Sequence, residues 1–334
     1  MSRLADIPLS VLDLAPITLD GTPAETFRRS VDLAQQTERL GYNRYWLAEH
    51  HNIDGIASAA TSVLIGHIAG ATSTMRIGSG GIMLPNHPPL VIAEQFGTLA
   101  TLYPGRIDLG LGRAPGSDGI TMQAMRRDPM AGVNDFPDRL DELRRYLGDS
   151  VPGQRVRAIP GEGTHVPIWL LGSSGYSAQL AARLGLPFAF AGQFAPGYML
   201  EALHLYREGF QPGVLDEPHA MIGIPLIAAE SDERARFLAT TQQQKFLNLI
   251  RGKSTRTRPP VEVMDWSPQE EAMVAQNLGA AVVGGPERVR QQLEALLENT
   301  QADEIMVNTD CYDHADRVKS YEILADVWKG AKRE

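Results

Sequence analysis

Short apolar runs alternate along this chain with longer stretches whose apolar residues recur at helical spacing. The run from Pro8 to Leu14 has the apolar density of a β-strand, and Phe27, Val31, Ala34 and Leu40 then fall on one face of a helix over 22–40. Gly41 stands where a helix C-cap belongs. The pair recurs as a strand over 42–47 with a helix over 57–71, a strand over 75–84 with a helix over 89–102, and a strand over 106–111 with a helix over 135–146. It continues as a strand over 168–171, a helix over 176–184, a strand over 188–191, a helix over 196–210 and a strand over 221–228. Residues from about 231 to 280 are polar and partly helical and read as an insertion after the seventh strand. A helix over 286–299, a strand over 304–307 and a closing helix from about 316 complete eight units. Strict alternation without a break in composition predicts one parallel α/β domain over 1–334, closed as a single (β/α)8 TIM barrel.

In such a barrel the chemistry sits on the loops that follow the strands. Four strand ends carry polar or glycine-rich clusters: Glu49-His50-His51, Gly78-Ser79-Gly80-Gly81, Gly110 to Arg113, and Gly172-Ser173-Ser174-Gly175. The last opens a helix, so its amides and hydroxyls face outward at a positive dipole end, and an arginine from the neighbouring strand can complete a phosphate cradle. The competing reading makes Ser174 and Ser177 plain helix caps and Arg113 a surface ion pair. Glycines inside a strand suit either close approach of a flat ring or tight packing on a neighbour. Alternation sends Glu49 and His51 to one side of their strand and His50 to the other, so the two histidines are poor co-ligands for one metal. A histidine at the mouth suits acid–base work, and a structural histidine fits the spacing equally well.

Composition removes several classes. A formal charge of -9, from 31 basic and 40 acidic residues, argues against nucleic acid or an anionic membrane as partner. The densest basic run, Arg251 to Arg258, reads as a solvated loop, with phosphate contact as the lesser reading. The lone Cys311 excludes an internal disulfide and any multi-cysteine metal site, which fits a reducing compartment. Met1 to Pro8 lacks a signal peptide's apolar core, so a cytoplasmic protein is expected. Gly110, Gly112 and Gly116 miss the dinucleotide fingerprint, and neither a Walker loop nor a nucleophile elbow is present.

Taken in order, Tyr45 to His51, Gly78 to Pro85 with His87-Pro88 and Ala93-Glu94-Gln95, Tyr103 to Arg113, Pro167 to Ser174, and Val283 to Glu287 resemble the luciferase-like monooxygenase family across the whole chain. The resemblance implies reduced FMN held non-covalently at the barrel mouth, usually within a homodimer. It implies that Arg113, Ala114 and Pro115 with Ser173, Ser174 and Ser177 hold the phosphate. Gly80 and Gly81 match the small pair, often joined by a cis peptide, against which the flavin ring lies. His50 matches the family's acid–base histidine, with Glu49 beside it. The implied reaction adds O2 at the flavin C4a and oxygenates a small organic substrate, with a separate flavin reductase as supplier. Two alternatives stay open on the same fold: hydride transfer with the deazaflavin F420, and a non-catalytic flavin-binding protein. Residues 116–134 and the stretch around 245–265 are expected to form or cover the substrate pocket.

Overall fold

The computed structural model describes residues 3–114, 118–126 and 135–331. Its strands are β1 (Leu9–Asp13), β2 (Arg44–Leu47), β3 (Arg76–Met83), β4 (Ile107–Gly112), β5 (Ile168–Gly172), β6 (Phe188–Ala191), β7 (Ala220–Ala228), β8 (Val282–Gly284) and β9 (Glu304–Asn308). The helices are α1 (Pro23–Leu40), α2 (Thr61–Ala71), α3 (Pro89–Leu102), α4 (Gly119–Ala124), α5 (Phe136–Leu147), α6 (Gly175–Leu184), α7 (Met199–Glu208), α8 (Asp232–Ile250), α9 (Pro268–Asn277), α10 (Pro286–Thr300) and α11 (His314–Ala331).

Strands β1 to β7 pair in sequence order, β9 joins β7 to β1, and every pairing is parallel. The result is a closed eight-stranded barrel wrapped in helices, as the alternation predicts. Three-residue β8 lies outside the ring, paired to the far end of β7 at Leu226–Ala228. No strand is expected there from sequence, because so short an element has no readable period.

Local chemistry sets the element ends. The Thr22 side chain accepts the amide of Glu25 to cap α1, and Gly41 closes it at φ 91°. Helix α2 begins at Thr61 rather than at 57, because the Ser58 hydroxyl donates to the carbonyls of Ala48 and Leu14 and holds the preceding residues in a turn. The helix expected over 196–210 opens as a 3-10 turn, Pro196–Tyr198, before α7.

Two apolar layers hold the barrel. The larger lies between strands and helices, and a smaller one fills the barrel interior with Leu12, Leu14, Trp46, Ala48, Trp169, Ala189, Met221 and Met306. Trp46 and Trp169 meet edge to face at 5.4 Å. Below them a buried charge network closes the floor. Arg44 Nη1 lies 2.6 Å from Asp108 Oδ2 and its Nε 3.0 Å from Glu304 Oε1, while Trp46 Nε1 donates to Asp108 at 3.2 Å. Charges so paired can stay buried, and they fix the floor on which the interior aromatics stand.

Candidate active site

Inward-facing residues of β2 and its continuation have even numbers, Trp46 and Ala48, so the next inward position is His50. His50 lines a cavity at the mouth of the barrel, and Phe194 from the loop after β6 meets its ring edge to face at 6.2 Å. Glu49 has the opposite parity and does not line that cavity. Its carboxylate is 1% exposed and accepts from the Met83 amide at 2.9 Å, Asn86 Nδ2 at 3.1 Å, His51 Nε2 at 2.7 Å and His87 Nε2 at 2.9 Å. Burial pushes its pKa up, but the hydrogen bonds and charge of His87, with those of His51 and Met83, outweigh burial and hold it below the usual value. The structure therefore places His50 on the cavity and Glu49 behind it. Glu49 ties the end of β2 to the loop after β3 and sets the backbone from which His50 projects.

The cavity encloses about 920 Å³ of space, its opening included. Gly80, Gly81, Arg113, Ala114, Ser173, Ser174 and Ser177 all line it. Pro115 lies outside the described residues. The Gly80-Gly81 peptide is cis. A side chain at Gly81 would come within 2.8 Å of the Gly110 carbonyl, so close packing alone already requires that glycine, whereas one at Gly80 would meet the movable end of Leu12 at 2.9 Å.

At the other end, Ser174 occupies the N-cap of α6 yet makes no side-chain capping bond. Arg113 lies with Cζ 4.0 Å from the centroid of Tyr176, in the first turn of the same helix, and has no carboxylate partner among the described residues. Among the described residues neither a capping bond from Ser174 nor an ion pair from Arg113 is present. The donor set left over is a planar guanidinium, two exposed serine hydroxyls and the first-turn amides of a helix, which suits a phosphate. Leu12, Trp46, Leu171, Met221 and Met306 supply an apolar base broad enough for a flat ring. These residues fit a flavin mononucleotide.

Two cations of the basic run after α8 are spent on structure: Arg251 pairs with Glu270 at 2.6 Å, and Arg256 donates to the carbonyls of Leu19 and Gly21. The run takes no part in this cavity. Missed in the sequence were Gln193, Phe194, Met221 and Met306, which reach the cavity from β6, β7 and β9. Inward parity is the only signal for Met221 and Met306, and Gln193 and Phe194, on the loop after β6, have none. Among the described residues no helix is long and apolar enough to cross a membrane, and no His, Cys, Asp and Glu cluster is placed to hold a metal.

A family model described as luciferase-like monooxygenase matches residues 7–304. A luciferase-like monooxygenase of Escherichia coli (strain K12) is 55% identical over 96% of this chain and 97% of its own length. The N-acetyl-S-alkylcysteine monooxygenase of Bacillus subtilis (strain 168) is 32% identical, over 98% of this chain and 100% of its own. Among solved structures, apo-MsnO8 superposes with a TM-score of 0.87 at 36% identity, covering 97% of this chain and 98% of that one. The oxygenating constituent of 3,6-diketocamphane monooxygenase from Pseudomonas putida, solved with FMN, has a TM-score of 0.72 at 17% identity over 97% of each chain, a likeness of fold.

Proposed function

The chain belongs to the luciferase-like monooxygenase family, and on that premise we propose that it binds reduced FMN in the mouth cavity and uses it with O2 to oxygenate a small organic substrate. The observation that carries the choice of FMN is the Arg113, Ser174 and α6 cradle, in which Ser174 makes no capping bond and Arg113 has no carboxylate partner among the described residues. The fold neighbour solved with FMN is consistent with it. Deazaflavin F420 carries an acidic tail that calls for further cations at the mouth. Lys245, which lines the neighbouring cavity, is spent on Asp310 at 3.0 Å.

Reduced flavin, when bound, supplies the electrons that activate O2 for insertion of one oxygen atom into the substrate. The chain's own residues do the rest. Arg113 and Ser174 anchor the phosphate and so fix how deep the ring sits. Gly80 and Gly81 give a wall without side chains on one side of it, and Trp46, Leu171 and Met306 exclude water from below. His50 stands at the inner edge of the cavity, where it holds or gives a proton at the reacting substrate. A separate reductase supplies the reduced flavin.

Anaerobic titration of the protein with reduced FMN, and separately with reduced F420, tests the proposal. Saturable FMN binding in preference to F420, followed by oxygen uptake on mixing with air, supports it. Preference for F420 with no oxygen uptake moves the reaction to hydride transfer, and flavin binding without any turnover supports a non-catalytic carrier.

A further inference from the structure

Beside the flavin cavity lies a second one, about 620 Å³ with its opening, which shares His50, Gln193 and Phe194 with the first. Leu14, Ile53 and Ile56 form one side of it, and Phe246 and Leu249 from α8 form the other. Polar groups contribute almost nothing to its surface. The ionisable side chains that line it besides His50 are Lys245, from α8, and Asp310, just past β9. They pair at 3.0 Å, with their side chains only 12% and 3% exposed, so together they present no net charge. The second Asp310 oxygen, Oδ1, is buried with no partner.

These features decide what can enter. An anionic group needs a cation once it leaves water, and Lys245 is the lysine available, but its charge already answers a buried carboxylate. A carboxylate brought in would leave two negative groups sharing one ammonium. An uncharged alkyl or aryl group meets a surface that is almost wholly apolar and gains by leaving water. The wall shared with the flavin cavity then brings whatever occupies this space next to the reacting edge, across the His50 and Phe194 rings.

We infer that the second cavity binds the uncharged, apolar part of the organic substrate, and that Asp310, by neutralising Lys245, is the specificity residue that turns carboxylates away. The position of the reacting atom rests on the flavin reading; the chemistry of the cavity does not.

The test uses the full chain, with and without reduced FMN, and two probes of matched shape: thioanisole, which is neutral, and 4-(methylthio)benzoate, which is anionic. Calorimetric titration should show thioanisole binding at least about tenfold more tightly than the benzoate, even without flavin. Phe246→Trp, which fills the cavity, should weaken thioanisole by about tenfold or more and leave the FMN Kd unchanged. Asp310→Asn frees Lys245 and should move the preference toward the benzoate by about tenfold. Equal or tighter binding of the benzoate to the unmodified protein overturns the inference, and so does thioanisole binding that ignores Phe246→Trp. If FMN fails to bind while thioanisole binds and responds to Phe246→Trp, the flavin reading falls and the cavity assignment stands. If FMN binds and thioanisole does not, the reverse holds.

Discussion

Arg113 lays its guanidinium 4.0 Å from the centroid of the Tyr176 ring, so the charge that ends β4 is parked over the first turn of α6. The stack holds a planar fork beside the turn whose amides open α6. Arg113→Ala should weaken reduced FMN binding by about 1.5–3 kcal/mol, the worth of a charged hydrogen bond. Arg113→Lys should recover only part of the loss, because lysine keeps the charge but neither the fork nor the stack. Anaerobic titration reads both; an unchanged Kd in the alanine variant removes the phosphate assignment.

His50→Ala separates binding from chemistry. His50 lines the cavity on the side it shares with the second one and is no part of the Arg113 and Ser174 cradle, so the FMN Kd should hold. Product formation should fall by about 10²–10⁴-fold, the usual cost of a lost acid–base group. Product yield per O2 consumed is the informative measurement. A variant that loses FMN binding or its fold would make His50 structural.

Glu49 predicts how stability depends on pH. Its pKa in the folded chain lies below the ordinary value of 4.5, so the folded state holds its proton less tightly than the unfolded chain does. The stabilisation is complete above that ordinary value and is lost as pH falls through the folded pKa. Glu304 and Asp13 are shifted in the same direction and add to the same acid limb. Melting temperature measured across pH 3–7, roughly, should fall steeply at the acid end. Glu49→Gln should be less stable at neutral pH and flatter below it. A curve for that variant running parallel to the curve of the unmodified protein would show that the His51 and His87 contacts carry no linkage.

Gly81 answers the question that its place in a strand raises. An added methyl would sit 2.8 Å from the Gly110 carbonyl, a backbone atom that cannot swing away. Gly81→Ala should cost about 1–3 kcal/mol of stability by overpacking, seen in thermal unfolding of the flavin-free chain. If the variant unfolds normally and loses only flavin affinity, the glycine serves the ring and not the strand.

The barrel is legible in the sequence because each ring strand is an apolar run followed by a helix with its own periodic stripe, and local signals such as Thr22 and Gly41 mark the ends. β8 is not, since Val282–Gly284 is too short to show a period and reads as the tail of a polar insertion. Half the site is equally visible. Arg113 and Ser174 stand at strand ends in a recognisable order, and parity separates Glu49 from His50, although parity alone does not say which of them faces inward. The buried neighbours Trp46 and Ala48 do. The second cavity is assembled from Ile53, Gln193, Phe246 and Asp310, which no single stretch of chain brings together. Gln242, Lys245, Phe246 and Leu249 do recur at helical spacing along α8, but an insertion helix with such a stripe reads as one packed on the core.

The pairing of β1 with β9 sets the order in which the molecule can be made. Leu9 lies against Ile305, Ser10 donates to Glu304, and Asp13 is bridged by Arg317 at 2.9 Å, contacts that join residues about 300 positions apart. During synthesis β1 waits with an unpaired edge until almost the whole chain has emerged, and β7 waits with another. Open edges invite pairing with other chains, and distant pairings form slowly. A chain arrested before residue 304 therefore carries two sticky strands, and the Asp13–Arg317 bridge is the clasp that ends its exposure to aggregation.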